Sequence, residues 1–277
     1  MRVAEALRDA ARRLAAVSDT ARLDAELLMA HVLQASRSEL LLRHLQEAEP
    51  AAFAAAVERR LGHEPVAYVT GRQEFYGREF LVTPDVLIPR ADSETTLEAA
   101  LEASPDPRRV LDCGTGSGAL LLSLLAERPL ATGTGIDRSA GALAVARENA
   151  ARLGLAGRAE MRQADWTQPG WSEGLGTFDL VLANPPYVED HAELDPAVRE
   201  HEPAGALFAG PEGLDDYRVL VPQLPALLAP GGVAVLEIGA TQADSVGAIA
   251  AKAGFRCELR HDLGGRPRAM VLRLGLV

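Results

Sequence analysis

An apolar run, Phe178-Asp179-Leu180-Val181-Leu182-Ala183, stops abruptly at Asn184-Pro185-Pro186-Tyr187. Each proline lacks an N–H, fixes its own φ and drives the residue before it into an extended conformation, so the spacing predicts a strand that ends in a stiff loop. The Asn184 side-chain oxygen and the Pro185 carbonyl then form two neighbouring hydrogen-bond acceptors, Pro186 stiffens the turn, and Tyr187 adds a flat aromatic face. A planar NH2 group satisfies both acceptors at once, so the chemistry such a loop suits is orientation of an amide or exocyclic amine. Two prolines alone favour an ordinary turn with a packed tyrosine. The four residues together, behind a Val/Leu strand and downstream of a glycine-rich strand end, favour a grip.

That glycine-rich end is the second constellation. Leu111-Asp112-Cys113-Gly114-Thr115-Gly116-Ser117-Gly118 reads as a strand running into a helix from about Ala119 to Glu127. Glycines there let a ligand approach backbone N–H groups at a helix N-terminus. Asp137 follows the next strand, Thr132 to Ile136, nineteen residues beyond Gly118, where a carboxylate accepts both hydroxyls of a ribose. A dinucleotide fingerprint requires G-x-G-x-x-G, and here the third glycine arrives one residue early. The spacing therefore favours a methyl-donor nucleoside without a pyrophosphate over a nicotinamide dinucleotide. After a strand near Ala159 to Arg162, Asp165 is expected to accept an adenine amino group and Trp166 to stack on the ring; the alternative for Trp166 is a loop tryptophan covering the core.

These residues need elements to hold them. From Arg109 strands and helices alternate, the pattern of an α/β fold with a doubly wound, mostly parallel sheet. If strand order reverses between the first and fourth strands, the glycine loop and the Asn-Pro-Pro-Tyr loop meet at one crevice. Gly213 to Leu228 is expected as a helix, Gly231-Gly232 as the turn into a strand from Val233 to Ile238, and Phe255 to His261 with Ala269 to Leu274 as a closing antiparallel hairpin. Glu237 lies inside that apolar strand, and lining the crevice or pairing with an arginine fit it equally. Residues 188 to 212 form a long, Pro- and acid-rich connection expected to border an acceptor groove.

Residues 2 to about 70 carry helical periodicity, with Val3, Leu7, Ala10 and Leu14 on one stripe, and predict a small helical bundle for packing or partner docking. Phe75 to Val86 predicts a hairpin between two domains. Leu87 to Glu94 is a proline-interrupted loop entering a helix that Asp92 or Ser93 caps, and Arg90 within it is read first as a structural ion pair and second as a ligand contact. The boundaries so drawn are 1–73 for the helical domain, 74–87 for the hairpin linker and 88–277 for the catalytic domain.

The chain has 277 residues, 48% hydrophobic and 24% charged, which suits one large domain plus a smaller one. Its net charge is −11, and the first 75 residues hold 10 basic against 11 acidic side chains, so neither half offers a basic footprint for nucleic acid. Two distant cysteines, Cys113 and Cys257, suggest neither a disulfide framework nor a metal site. With no signal peptide and no apolar run of membrane-spanning length, the expectation is a soluble cytoplasmic monomer without membrane or direct nucleic-acid partners.

Over essentially its full length the chain resembles the protein-(glutamine-N5) methyltransferases that act on peptide chain release factors, the HemK or PrmC family. The stretches that carry the resemblance are Glu64-Pro-Val-Ala-Tyr-Val-Thr-Gly71, Val86-Leu-Ile-Pro-Arg90, Asp112-Cys-Gly-Thr-Gly-Ser-Gly118, Ile136-Asp-Arg-Ser139, Asn184-Pro-Pro-Tyr187, Leu236-Glu-Ile-Gly239 and Asp262-Leu-Gly-Gly-Arg266. The resemblance implies a Rossmann-like methyltransferase fold, S-adenosylmethionine as donor with S-adenosylhomocysteine as product, and a helical N-terminal domain that helps engage a class I release factor. It also implies the glutamine of a Gly-Gly-Gln motif as acceptor. The expected donor-binding residues are Gly114, Thr115, Gly116, Ser117, Gly118, Asp137, Asp165, Trp166 and Asn184. Asn184, Pro185, Pro186 and Tyr187 are expected to bind the acceptor, with Asn184, Pro185 and Tyr187 catalytic.

One departure stands out. After Ile-Pro-Arg the family usually continues Pro-Glu-Thr-Glu, whereas here Ala91-Asp92-Ser93-Glu94 keeps acid and hydroxyl but loses the proline. A sister group that methylates a glutamine of a large-subunit ribosomal protein tends to lack the Ser/Thr-Glu pairing retained here, so the release-factor reading is preferred. A nucleic-acid amino methyltransferase would use a similar grip on a flipped base, and the acidic balance disfavours it. An amide nitrogen is a poor nucleophile, so the catalyst must fix both N–H bonds and hold the methyl in line, for which Asn184 and the Pro185 carbonyl suffice without a strong base.

Overall fold

A short hairpin, β1 (Arg72–Phe75) and β2 (Arg78–Leu81), precedes seven strands that join in one sheet in a computed structural model, which describes residues 1–275. The strands are β3 (Arg109–Cys113), β4 (Thr132–Asp137), β5 (Ala159–Gln163), β6 (Phe178–Ala183), β7 (Leu228–Glu237), β8 (Phe255–His261) and β9 (Pro267–Leu274). Their order is β5-β4-β3-β6-β7-β9-β8. Pairing is parallel from β5 to β7 and antiparallel where β9 inserts between β7 and β8. The expected reversal therefore lies between β3 and β6, with β4 on the far side of β3. Helices cover both faces of the central strands, which is why Val110–Cys113 and Leu180–Ala183 are buried at every position rather than at alternate ones, Asp112 included.

The helices are α1 (Val3–Leu14), α2 (Ala21–Leu33), α3 (Arg37–Glu39), α4 (Ala52–Leu61), α5 (Val66–Thr70), α6 (Glu94–Ala103), α7 (Ala119–Glu127), α8 (Ala140–Arg152), α9 (Pro196–His201), α10 (Asp215–Leu220) and α11 (Ala243–Lys252). One core layer gathers Leu97, Leu121, Leu124 and Leu143 against Leu180 and Leu182; the other gathers Tyr217, Leu220, Leu224 and Val246 against Val181 and Leu236.

Three local expectations differ from the structure. Gly213 to Leu228 is not one helix: α10 gives way to a 3-10 stretch, Val221–Ala226, and Leu228 already belongs to β7. Pro222 and Pro225 have no N–H to donate, so a regular α-helix cannot run through them. Ser93 does not cap α6 with its side chain, because a 3-10 turn, Ala91–Ser93, leads into that helix and Ser93 is buried against Glu237 instead. Asp92 leaves the helix end too, bonding Arg268 at 2.9 Å.

The chain divides into two units: Met1–Arg72 with Leu194–His201, and the remainder. In the first, Val3, Ala6, Ala10 and Leu14 of α1 pack with Leu28, Met29, Phe53 and Val57. Two carboxylates are buried in this bundle, each matched by arginine. Asp24 pairs with Arg60 at 2.8 Å, and Glu26 with Arg22 and Arg37 at 2.9 and 2.7 Å. Residues 194–201 join it from the acid-rich connection, with His201 Nε2 3.1 Å from the Gly62 carbonyl. The hairpin from Gln73 onward belongs to the second unit. No helix among the described residues is long and apolar enough to cross a membrane. Residues 276 and 277, the end of the expected catalytic domain, lie outside the described residues.

Candidate functional site

Cys113 and Ala183 are register partners at the ends of β3 and β6, so the loops that follow, 114–118 and 184–187, leave the sheet side by side. This is the crevice that a doubly wound sheet opens at its reversal point. A cleft of about 1160 Å³, counting its open mouth, forms there within the second unit. Asp112, Gly114, Thr115, Gly116, Ser117, Asp137, Asp165, Trp166, Asn184 and Pro186 line it, and Phe75, Leu87, Pro89, Arg90, Pro203 and Gly205 supply the facing walls.

The glycine loop is held by its own backbone. The N–H groups of Gly114 and Thr115 both donate to the Ile136 carbonyl at 2.9 Å, and Gly118 N–H donates to the Thr115 carbonyl at 2.7 Å. Gly114 has φ +77°, so the backbone angle favours glycine, and a Cβ there would crowd the Trp166 ring at 3.1 Å. At Gly116, with φ +54°, a Cβ would meet only open space, which leaves that backbone bare for close approach.

Two carboxylates flank the loop with different hydrogen-bond partners. Asp137 is pinned by backbone donors, with Oδ2 accepting from Gly116 N–H at 3.0 Å and Oδ1 from Ser139 N–H at 2.9 Å. A carboxylate has further lone pairs, so hydroxyl donors in the cleft can still be accepted. Asp112 is buried, its Oδ2 accepts from Thr115 Oγ1 at 2.7 Å, and its Oδ1 has no partner. Burial, opposed by the Thr115 hydrogen bond and reinforced by the Asp137 charge, lifts the Asp112 carboxyl to about 7.

In the loop after β5, Asp165 Oδ1 accepts from the Thr167 N–H and hydroxyl at 2.9 and 2.7 Å. Trp166 covers the core, as the second of its two readings has it, and also faces the cleft. Its ring lines the cleft beside Gly114 while packing on the second core layer, and Nε1 donates to Asp216 Oδ1 at 3.0 Å. The orphan Asp112 oxygen, the open backbone at Gly116 and the carboxylates of Asp137 and Asp165 together suit a ligand rich in hydroxyl and amino donors. That is the chemistry of a methyl-donor nucleoside.

At the other loop, the half-buried side chain of Asn184 lines the cleft and makes no hydrogen bond among the described residues. Pro186 also lines it. Gly118, Pro185 and Tyr187 stand behind the lining. Gly118 precedes α7 and packs toward Leu122, and Pro185 is buried. The Tyr187 hydroxyl donates to Glu237 Oε1 at 3.3 Å, and burial together with the Glu237 charge pushes its phenol above the ordinary range.

Several partners were invisible in the sequence. Glu202, read as part of an acid-rich connection, is buried and accepts from Ile88 N–H at 3.1 Å and Arg90 Nη2 at 2.5 Å. Arg90 is thus an ion pair that also forms a wall of the cleft. Arg138 Nη2 donates to the Gly205 carbonyl at 2.6 Å, tying the loop after Asp137 to the same 202–206 segment. Glu237 follows neither alternative: it stands behind the lining, within reach of Tyr187, Ser93 and Thr96, while Arg268 pairs with Asp92 and acts on it only at longer range.

Comparison with known proteins agrees with this geometry. The family described as PrmC N-terminal domain matches residues 5–71, and a methyltransferase domain matches residues 106–256. A release factor glutamine methyltransferase of Cereibacter sphaeroides is 45% identical over 99% of both chains. One of Moorella thermoacetica is 44% identical over 98% of both, and one of Coxiella burnetii 36% identical over 99% of both. Among solved structures, the ribosomal protein L11 methylase from Lactobacillus delbrueckii subsp. bulgaricus shares the fold, with a TM-score of 0.50 and 20% identity, covering 74% of this chain and 90% of that one.

Proposed function

Because the chain belongs to the release factor glutamine methyltransferase family, we propose that it methylates the side-chain amide nitrogen of the Gly-Gly-Gln glutamine in class I peptide chain release factors. The donor is S-adenosylmethionine, which when bound supplies an electrophilic methyl on a positively charged sulfur. The observation that carries the reading is the unpartnered Asn184 amide in the same cleft as the glycine loop.

Each residue then has a task. Asp137 accepts the ribose hydroxyls, Asp165 the adenine amino group, and Trp166 offers a face to the ring. Asn184 Oδ1 and the Pro185 carbonyl accept the two N–H bonds of the acceptor amide. Those bonds fix the nitrogen in line with the methyl and raise its electron density as it loses planarity. Orientation of this kind contributes several kcal/mol to a transfer reaction. The N-methylated amide sheds its extra proton to water, so no histidine or other strong base is needed. The bundle formed by residues 1–73 docks the release factor, residues 74–87 link it to the catalytic domain, and the protein works as a cytoplasmic monomer without a nucleic-acid ligand.

The test uses labelled donor with a release factor, a large-subunit ribosomal protein preparation and nucleic acid in parallel, followed by peptide mass spectrometry. Label on the Gly-Gly-Gln glutamine of the release factor is the expected result. Label confined to ribosomal protein or nucleic acid would overturn the substrate, and no label in any arm would overturn the activity.

A further inference from the structure

Behind the Asn184–Tyr187 loop lies a polar network that the proposed chemistry does not use directly. Glu237 is 1% exposed at the end of β7, among Leu236, Ile238 and the second core layer. Its carboxylate reaches Tyr187 OH at 3.3 Å and Thr96 Oγ1 at 3.4 Å, and it bonds the Ser93 side chain. Its backbone carbonyl accepts from Tyr217 OH at 2.7 Å. The opposite side of Tyr187 is held as well: Gln242 Nε2 donates to the Tyr187 carbonyl at 3.0 Å and to the Gly213 carbonyl at 3.0 Å, while its Oε1 accepts from Gly239 N–H at 3.0 Å.

Packing does not explain a carboxylate at this position. A leucine fills similar volume in an apolar strand without the desolvation that a buried carboxylate suffers. What the carboxylate does that leucine cannot is hold a hydroxyl, and three surrounding hydroxyls converge on it. The Tyr187 contact is long for O–H···O, so the shorter Gln242 bond supplies the second point that fixes the residue. Two points are enough to stop Tyr187 from rotating, and Tyr187 is separated from Asn184 only by two prolines whose own φ angles are set.

We infer that Glu237 and Gln242 are positioning residues for methyl transfer: they clamp Tyr187 by its hydroxyl and its carbonyl, and so fix the direction in which Asn184 and Pro185 present their oxygens. The inference rests on the amide-grip reading of Asn184. The clamp touches neither donor nor acceptor, so its loss acts on the chemical step rather than on donor affinity.

The experiment is a double-mutant cycle with Tyr187→Phe and Glu237→Leu, with Glu237→Gln as the conservative variant and Asn184→Ala alongside. Single-turnover transfer to a release factor, donor affinity by calorimetry and thermal midpoint are read on the same samples. Expected losses in transfer are about tenfold or more for Tyr187→Phe and Glu237→Leu, with donor affinity within about twofold, and the double variant no slower than the worse single one. Glu237→Gln, which still accepts from the tyrosine, should recover most of the rate. A wild-type rate in Glu237→Leu, or losses that multiply in the double variant, would overturn the clamp. If Glu237→Leu fails to fold, Tyr187→Phe, which removes the same hydroxyl contact, decides alone, and a wild-type rate in it overturns the clamp. A large loss in Asn184→Ala together with a wild-type rate in Glu237→Leu sinks the clamp alone, whereas a wild-type rate in Asn184→Ala sinks the grip and the clamp with it.

Discussion

Asn184 and Asp112 are two polar side chains in one cleft, each with bonding capacity that the protein leaves unused. For Asn184 the unused capacity is what the proposed amide grip draws on. Asn184→Ala should lower methyl transfer roughly a hundredfold with a smaller effect on donor binding, since positioning rather than affinity is lost. Asn184→Asp keeps shape and acceptors but adds a negative charge beside the donor's sulfonium, so donor affinity should rise while transfer falls. Single-turnover rates and calorimetry separate the two, and equal effects of both substitutions on affinity would contradict the argument. For Asp112 the consequence is pH dependence. Its folded-state carboxyl is raised to about 7 from an ordinary 3.8, so the unfolded chain releases this proton first as pH increases. The stability tied to the neutral carboxyl is therefore present below about pH 4 and is lost as pH rises through about 7. Asp112→Asn removes the titration, so the ligand-free variant should gain on wild type at pH 8 relative to pH 4, by up to about 4 kcal/mol. Urea midpoints that differ from wild type equally at both pH values would disprove it.

Among elements, the strands and the reversal between β3 and β6 were legible because both faces of the sheet are covered, and continuous apolar runs bounded by glycine or proline announce themselves. The misread helix at 213–228 shows the limit. Apolar periodicity persists through Leu220 and Leu224, yet Pro222 and Pro225 decide the geometry. Long-range polar pairing was not legible at all. Glu202 lies 112 residues from Arg90 and Glu237 lies 50 from Tyr187, so only the topology brings these partners together. The Arg90–Glu202 pair yields an element-scale prediction, because it joins the loop 87–90 to the segment 202–206, and both wall the cleft. The Glu202 side chain is 1% exposed, and removing only its partner leaves a buried charge. Arg90→Met should destabilise by about 3 kcal/mol and weaken donor binding, while Arg90→Met with Glu202→Leu should recover most of the stability. Denaturant midpoints of the single and double variants decide it. A double variant less stable than Arg90→Met would show that the pair contributes more than it costs.

For the molecule as a whole, the path of the chain complicates any attempt to separate its units. The first unit is not simply an N-terminal piece, because Leu194–His201 leaves the second unit, packs with residues 1–72 and returns at Glu202. Leu194, Ala197 and Val198 are partly covered there, and His201 bonds the Gly62 carbonyl. Cutting away residues 1–72 alone would strip this segment of its partners and expose its apolar side chains, so such a chain should be poorly soluble whatever the bundle does. A cleaner separation deletes residues 1–72 and replaces 194–201 with eight Gly/Ser residues, which preserves the chain length between Glu193 and Glu202. Every residue that lines the cleft is retained in that variant. It should bind donor within about threefold of the full chain, since no lining contact is lost, while kcat/KM for a release factor falls by about a hundredfold or more if the bundle supplies docking energy. Calorimetry with donor and a methylation assay with intact release factor test the two halves separately. Donor binding retained with undiminished kcat/KM would remove docking from the bundle's role, and loss of donor binding in a folded variant would show that the cleft depends on the unit it was thought to stand without.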